Sequence, residues 1–340
     1  MNQVDPAFPS DTQIRDVLAQ IAGLRTLVVG DICLDRWCFY DPSLAEASRE
    51  TGLPRVAVIS YESTPGAGGT VSNNLVAMGV RDVAVLGVFG DDGPAYELRR
   101  ALDSRNIESR YMVVSPETQT FTYTKYINVN TGEEDLPRTD FVNVNPWPAE
   151  VEAAVIEQLR VAAVEADVIL VSDQAETDVG GVITSAVRKT LSEIARETPN
   201  KTIWVDSRMR PEHFRDVIVK INQEEAEMAC DRVQLDRDFS LLRARTHSPL
   251  FLVTHGGDGV DLYSPSRADY VATARVEEPV DICGAGDSFS AGAAMALAAT
   301  GDPVLAARFG NLVASITIMK RGTGTASPDE ILDQAEINRR

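Results

Sequence analysis

Short runs of β-branched and other apolar residues recur at 26–30, 83–88, 168–172, 202–206, 217–221 and 250–254. Runs of this length and composition predict strands buried on both faces. Between them, apolar residues return every three or four positions, as in 149–166, 180–197 and 288–299, which keeps one face of a helix apolar. The alternation predicts an α/β fold, a doubly wound and mostly parallel sheet with helices on both faces. Two segments, 37–63 and 109–144, break the rhythm and read as alternating strands, such as 55–60 and 120–126. They predict a small antiparallel sheet, either a lid that closes over a ligand or a pair of ordinary edge hairpins. The reading is one domain over 1–340 with two lid insertions.

Composition narrows the function classes. With 340 residues, 44% of them hydrophobic, the chain can bury a large core. A formal net charge of −19 repels phosphate backbones and anionic lipid, so neither nucleic acid nor a membrane is an expected partner. An anionic nucleotide would need local donors and a cation. Cys33, Cys38, Cys230 and Cys283 form no CxxC pair, which argues against a zinc site or a disulfide framework and for a reducing compartment. The first eleven residues lack the basic start and apolar stretch of a secretory signal. No run approaches the ~20 apolar residues of a membrane span. A cytoplasmic protein is expected.

The strongest chemical signal is Val280-Asp-Ile-Cys-Gly-Ala-Gly-Asp-Ser-Phe, which joins a strand end to an alanine-rich helix. Gly284, Ala285 and Gly286 can turn their amides outward where the helix begins, and the positive end of the helix dipole favours an anion there. Asp287, in the first turn, is then placed to accept a proton from a hydroxyl attacking phosphorus. The alternative is a simple strand-to-helix turn capped by Asp287. Asp31 and Asp35 follow the first strand, at the sheet edge where open α/β sheets bind ligands; they read as sugar-hydroxyl acceptors or as a cap and a surface acid.

These stretches resemble the signatures of the ribokinase-like (PfkB) carbohydrate kinase family, in family order from Leu24 to Glu330. The resemblance implies that Asp287 is the catalytic base and that the Gly284-Ala285-Gly286 turn is the anion hole. The glycine-rich stretch from Pro65 corresponds to the sugar-binding signature, with Gly66 and Ala67 where the family has two glycines and Thr70 where it has asparagine. Asn222 and Glu225 match an Asn-x-x-Glu element, Glu225 acting on Mg²⁺ through water. Thr254, Gly256 and Gly259 match the nucleotide turn, and Asn311 is a candidate for the adenine pocket. His255 reads as a turn residue. Asp281, with the 320–328 turn, matches a monovalent-cation loop that would take K⁺, although Ile282 stands where a threonine is usual.

Within the family, the chain looks closest to D-glycero-D-manno-heptose-7-phosphate kinases. That branch implies substrate contacts from Asp173 and Arg138, though Arg138 equally reads as a partner of Asp140, and Arg208 and Arg210 are further candidates for an anionic substrate. The lysine and glycine that follow Ser-Asp in that branch are missing after Asp173. Such kinases are often fused to a nucleotidyltransferase, but this sequence ends soon after the kinase motifs, so adenylyl transfer is not expected. The implied activity is ATP-dependent phosphorylation of a sugar or sugar phosphate, with ATP, Mg²⁺ and K⁺ bound and a homodimer formed through the lid sheets.

Other enzyme classes fit poorly. The chain has no Gly-Lys dipeptide for a Walker A loop, no GxGxxG after its first strand and no GxSxG elbow. Its histidines, His213, His247 and His255, match no metalloprotease motif. The remaining alternative is a non-catalytic sugar or nucleoside sensor that keeps the fold.

Overall fold

The computed structural model describes residues 2–4, 8–177, 179–273, 276 and 278–337. In chain order the first half comprises β1 (Asn2–Val4), α1 (Asp11–Ile21), β2 (Arg25–Gly30), β3 (Ile32–Tyr40), β4 (Val58–Ala67), α2 (Gly68–Ala77), β5 (Asp82–Leu86), β6 (Val88–Gly90), α3 (Gly93–Asp103), β7 (Val113–Ser115), β8 (Thr122–Asn128), β9 (Thr139–Phe141) and α4 (Ala149–Glu165). The second half continues with β10 (Val168–Asp173), α5 (Ser185–Glu197), β11 (Thr202–Ser207), β12 (Ile218–Asn222), α6 (Gln223–Arg232), α7 (Phe239–Thr246), β13 (Phe251–Thr254), β14 (Gly259–Tyr263), β15 (Ala268–Ala272), α8 (Ala285–Thr300), α9 (Pro303–Thr317) and α10 (Pro328–Ile337).

The main sheet has the order β1-β15-β14-β13-β12-β11-β10-β2-β5. Pairing is parallel from β13 through β5 and antiparallel between β13, β14 and β15. Successive strand residues face opposite layers. Val28, Leu170, Trp204 and Leu252 pack with α1, α2, α8, α9 and α10, while Val29, Val171, Val205 and Val253 pack with α4, α5, α6 and α7. Both faces are covered, which is why these strands read as continuous apolar runs. The expected doubly wound α/β fold is the one observed.

Two elements differ from their sequence patterns. The run 83–88 is two strands, because the chain leaves the main sheet at Gly87 and β6 pairs in parallel with β7. The helix expected from 180 starts at Ser185, where Thr184 caps it by accepting the Val187 amide; the residues before it form a loop held by Asp31.

The small sheet has the order β4-β3-β8-β9. Its outer pairs are antiparallel, but its centre, β3 against β8, is parallel, since both strands leave the body in the same direction. Its strands also begin earlier than the alternation suggested, at Ile32, because the buried residues Ile32–Leu34 prolong the apolar run of β2. Segment 113–115 stays with the body as β7. The sheet rises over the ends of β2 and β10, beside the start of α8.

Candidate active site

Two cavities meet at the N-terminus of α8. Gly284 holds the left-handed conformation, φ +77°, that turns the chain into this helix. The Ala285 amide donates to the Ile282 carbonyl at 3.2 Å, so it is not the free donor expected of it. Gly286 and Asp287 have no acceptor for their amides among the described residues, and these two point the helix dipole at whatever lies beyond.

On one side a cavity of about 360 Å³ is lined by Thr254, Gly256, Gly259, Gly286, Phe289 and Asn311, among others. Four of the five residues expected at a nucleotide are thus brought together, and the fifth, Asn222, is not among them. Asn311 is buried, and its Nδ2 has no hydrogen-bond partner among the described residues. A buried amide donor left open costs ~1–3 kcal/mol unless a ligand accepts from it.

On the other side a smaller cavity, about 160 Å³, lies beneath the small sheet. Of the residues expected at the substrate or the reacting groups, Asp35, Ala67, Thr70, Arg138, Gly284 and Asp287 line it. So do residues that the sequence reading passed over, among them Arg36, Trp37, Tyr123, Lys125 and Cys283. Arg208, a weaker candidate, is also there, donating to Glu176 at 2.7 Å. Arg138 forms a two-pronged pair with Asp140, each contact 2.7 Å, and lies in the cavity wall over the Tyr123 ring.

Asp35 has no hydrogen-bond partner among the described residues and faces this cavity, where burial pushes its carboxyl up to about 6 against the pull of Lys125 and Arg138. Gly66 stands directly behind it. A Cβ there would come within 2.4 Å of the carboxylate, so the glycine is needed for the acid's position. Ala67 occupies φ +51°, ψ −115°, which strains any residue with a Cβ.

Several expected ligands are engaged elsewhere. The buried Asp31 carboxylate accepts amide hydrogens from Gln174, Ala175 and Val182 at 2.8–2.9 Å, so it organises the loop after β10 rather than meeting a sugar. Burial and the neighbouring Asp173 still push it up to about 6. Asp173, fully buried, pairs with Arg210 at 3.0 Å and accepts from Ser207 at 2.6 Å. Neither Asp173 nor Arg210 lines the cavity. Asn222 and Glu225 form a capping box at the start of α6, with bonds of 2.9 and 2.8 Å, and line neither cavity. Asp281 accepts from the amides of Cys283 and Gly322 at 2.9 and 3.0 Å. Its two oxygens tie the 281–283 turn to the loop at Gly322.

Below the helix start lies a pair that the sequence reading missed. Lys220 Nζ meets Asp206 Oδ2 at 2.7 Å, and Ser290 Oγ donates to the same oxygen at 3.0 Å. Burial lowers the Lys220 pKa, but Asp206, Glu225 and Asp287 outweigh it and hold the ammonium above its usual range. A lysine inside the apolar run 217–221 was the available signal, since a buried charge demands a partner.

Asp287 opens onto the cavity but is otherwise enclosed by protein. That desolvation, then the charge of Asp206, pushes its carboxyl up to about 7, while Lys220 and Arg208 pull it down and Asp35 raises it. Glu225 is pushed up to about 6, by burial first and Asp206 second. For Mg²⁺, Glu225 fits a water-mediated role, since one of its carboxylate oxygens remains outside the capping box.

Four raised carboxyls have a stability consequence. Asp31, Asp35, Glu225 and Asp287 rise to about 6, 6, 6 and 7, so between pH ~4 and ~7 the folded chain binds more protons than the unfolded one. Stability then falls as pH rises through this window. The carboxyls lowered by partners, Asp135, Asp167, Asp238 and Glu330, act in the opposite sense below it. Differential scanning calorimetry of the ligand-free protein at constant ionic strength should give a higher Tm at pH 5.5 than at pH 8; a Tm that rises between them would contradict these environments.

The model of the pfkB family carbohydrate kinases matches residues 26–330, and the chain belongs to that family of ATP-dependent sugar kinases. It is 30% identical over 337 residues to the bifunctional protein HldE of Caulobacter sp. (strain K31), and 28% identical over 328 residues to that of Caulobacter vibrioides. The matches cover 94% and 93% of this chain but only 65% of either relative, so the chain spans less than two thirds of their length. Among solved structures, Arabidopsis thaliana ribokinase complexed with ribose and ATP superposes with a TM-score of 0.68 at 17% identity, covering 92% of this chain and 99% of that one. A fructokinase with bound ATP from Xylella fastidiosa gives 0.65 at 17% identity, covering 93% and 99%. Both share the fold.

Proposed function

We propose that the chain transfers the γ-phosphoryl group of ATP to a hydroxyl of a sugar that already carries an anionic group. The observation that carries this reading is the place of Asp287: a carboxyl raised to about 7, beside two unpartnered amides, at the junction of the two cavities. ATP occupies the larger cavity, its adenine taking the open Asn311 donor and its phosphates running along the Thr254–Gly259 turn toward α8. The sugar occupies the smaller one, with Asp35 accepting from its hydroxyls.

Asp287 removes the proton of the attacking hydroxyl as that oxygen bonds to the γ-phosphorus. The bond from phosphorus to the β,γ-bridging oxygen breaks, and ADP leaves with its electron pair. The amides of Gly286 and Asp287 hold the phosphoryl oxygens in transit. Mg²⁺, held through water by Glu225, would neutralise nucleotide phosphate charge. With a base near neutrality, kcat/KM rises with pH and levels off above ~7.

The case for an anionic acceptor is electrostatic. In a chain of net charge −19, Lys125, Arg138 and Arg208 line the acceptor cavity against Asp35, Glu176 and Asp287, and the carboxyls of Asp35 and Asp287 are raised to about 6 and 7. A heptose phosphate, the acceptor suggested by the resemblance to heptose-7-phosphate kinases, suits this lining. Exposed Leu53, Val56, Ile59 and Tyr61 on and before β4 favour a homodimer through the small sheet, which acts as the lid of a single kinase domain. The free thiols of Cys33, Cys38 and Cys230 suit a reducing cytoplasm. An ADP-release assay over paired sugars and sugar phosphates tests the reading. Phosphorylated acceptors should be turned over at least a hundredfold more efficiently than their parent sugars. ATP binding without turnover of any acceptor would leave a sensor instead.

A further inference from the structure

Glu97 lies on α3, in the body of the protein, and lines neither cavity. Its carboxylate nevertheless takes three hydrogen bonds from the small sheet: from Arg36 Nε at 3.2 Å, from Arg36 Nη2 at 2.8 Å and from Ser63 Oγ at 2.9 Å. Arg36 and Ser63 are cross-strand partners on β3 and β4, so one acid from the body clamps both strands at the same register position. Arg36 is also part of the acceptor cavity wall, and its guanidinium lies 5.9 Å from the centre of the Tyr61 ring. The side chains of Arg36 and Glu97 are only 20% and 24% exposed. A two-pronged pair with this shelter is stronger than an ordinary surface ion pair, and its planar geometry fixes the guanidinium's direction.

We propose that Glu97 is a positioning residue for the acceptor sugar: through Arg36 and Ser63 it anchors the β3–β4 ribbon over the cavity, without touching substrate. The effect on sugar affinity rests on the kinase reading, whereas the anchoring itself does not. Glu97→Gln keeps the size of the side chain and removes the charge that holds the fork. The ribbon should then loosen, and the acceptor should bind less well while phosphoryl transfer and nucleotide binding are spared.

Trp37, on β3 in the cavity wall, reports the ribbon without any substrate. Acrylamide quenching, with the signal of the Trp37→Phe protein subtracted, should show Trp37 about three times more accessible in Glu97→Gln than in the wild type. With the sugar phosphate that the acceptor panel returns, KM for the sugar should rise about tenfold, while kcat and KM for ATP stay within twofold. Ser63→Ala keeps the ion pair and removes one neutral bond; it should raise the sugar KM two- to threefold and serves if Glu97→Gln folds poorly. Unchanged quenching would overturn the proposal, as would a parallel loss of kcat and of affinity for both substrates. A panel with no acceptor would defeat the kinase reading and leave the quenching result to decide the anchor.

Discussion

Replacing Asp287 by asparagine should lower kcat by about 10³, within the 10²–10⁴ that a positioned general base contributes, and leave ATP affinity within a few-fold of wild type. Asparagine has nearly the same shape and keeps the first turn of α8, so the two open backbone amides at the helix start are preserved while the proton acceptor is lost. The same change should stabilise the folded protein at pH 8. There the native carboxylate is ionised in a site where burial, Asp206 and Asp35 all disfavour the charge, and a neutral amide escapes that cost. At pH 5 the native carboxyl is itself protonated, so the gain should vanish. Single-turnover kinetics and thermal melts at both pH values check the two halves together. Near-normal turnover would remove the base, and a variant less stable than wild type at pH 8 would mean that the carboxylate is held by favourable contacts instead. Loss of activity accompanied by a gain in stability is the pattern expected of a residue kept for chemistry.

The frame of the fold was legible because the β2, β10, β11, β12 and β13 strands lie between two helical layers and need apolar residues on both faces. What the pattern hid was where the chain leaves the main sheet. Ile32, Cys33 and Leu34 are as buried as the strand before them, so hydropathy carries no mark of the passage into the small sheet. The same holds for the acids. Asp31 and Asp35 follow one strand and look alike in sequence, yet the amides that occupy Asp31 at Gln174 lie 143 residues away, while Asp35 faces the cavity unpaired among the described residues. Such a distinction is made by tertiary contacts. Asn222 and Glu225 carry the capping-box spacing, which local physics explains as fully as a metal role does. Lys220 is different: its charge inside an apolar strand was visible, and burial with Asp206 is its physical reason.

Lys220→Met should be the most destabilising of the single changes considered, by ~3–5 kcal/mol at pH 8, because it strands a buried carboxylate. Asp206 is 7% exposed and would keep only the Ser290 hydroxyl, with Glu225 and Asp287 nearby as like charges. The loss should be smaller at pH 5.5, where Glu225 and Asp287 are largely protonated and their repulsion of Asp206 is relieved. Lys220 is also the first of the charges that hold Asp287 down, so the rising limb of the kcat/KM profile should move to higher pH in whatever activity survives. Adding Asp206→Asn removes the stranded charge, and the double variant should recover most of the stability and bring the limb back toward its original position. Urea denaturation of the two variants at pH 5.5 and 8 measures this coupling. If the double variant were no more stable than Lys220→Met alone, the ammonium would matter for its packing beneath Gly286, and the charge balance under the helix start would not be what sets the Asp287 carboxyl near neutrality.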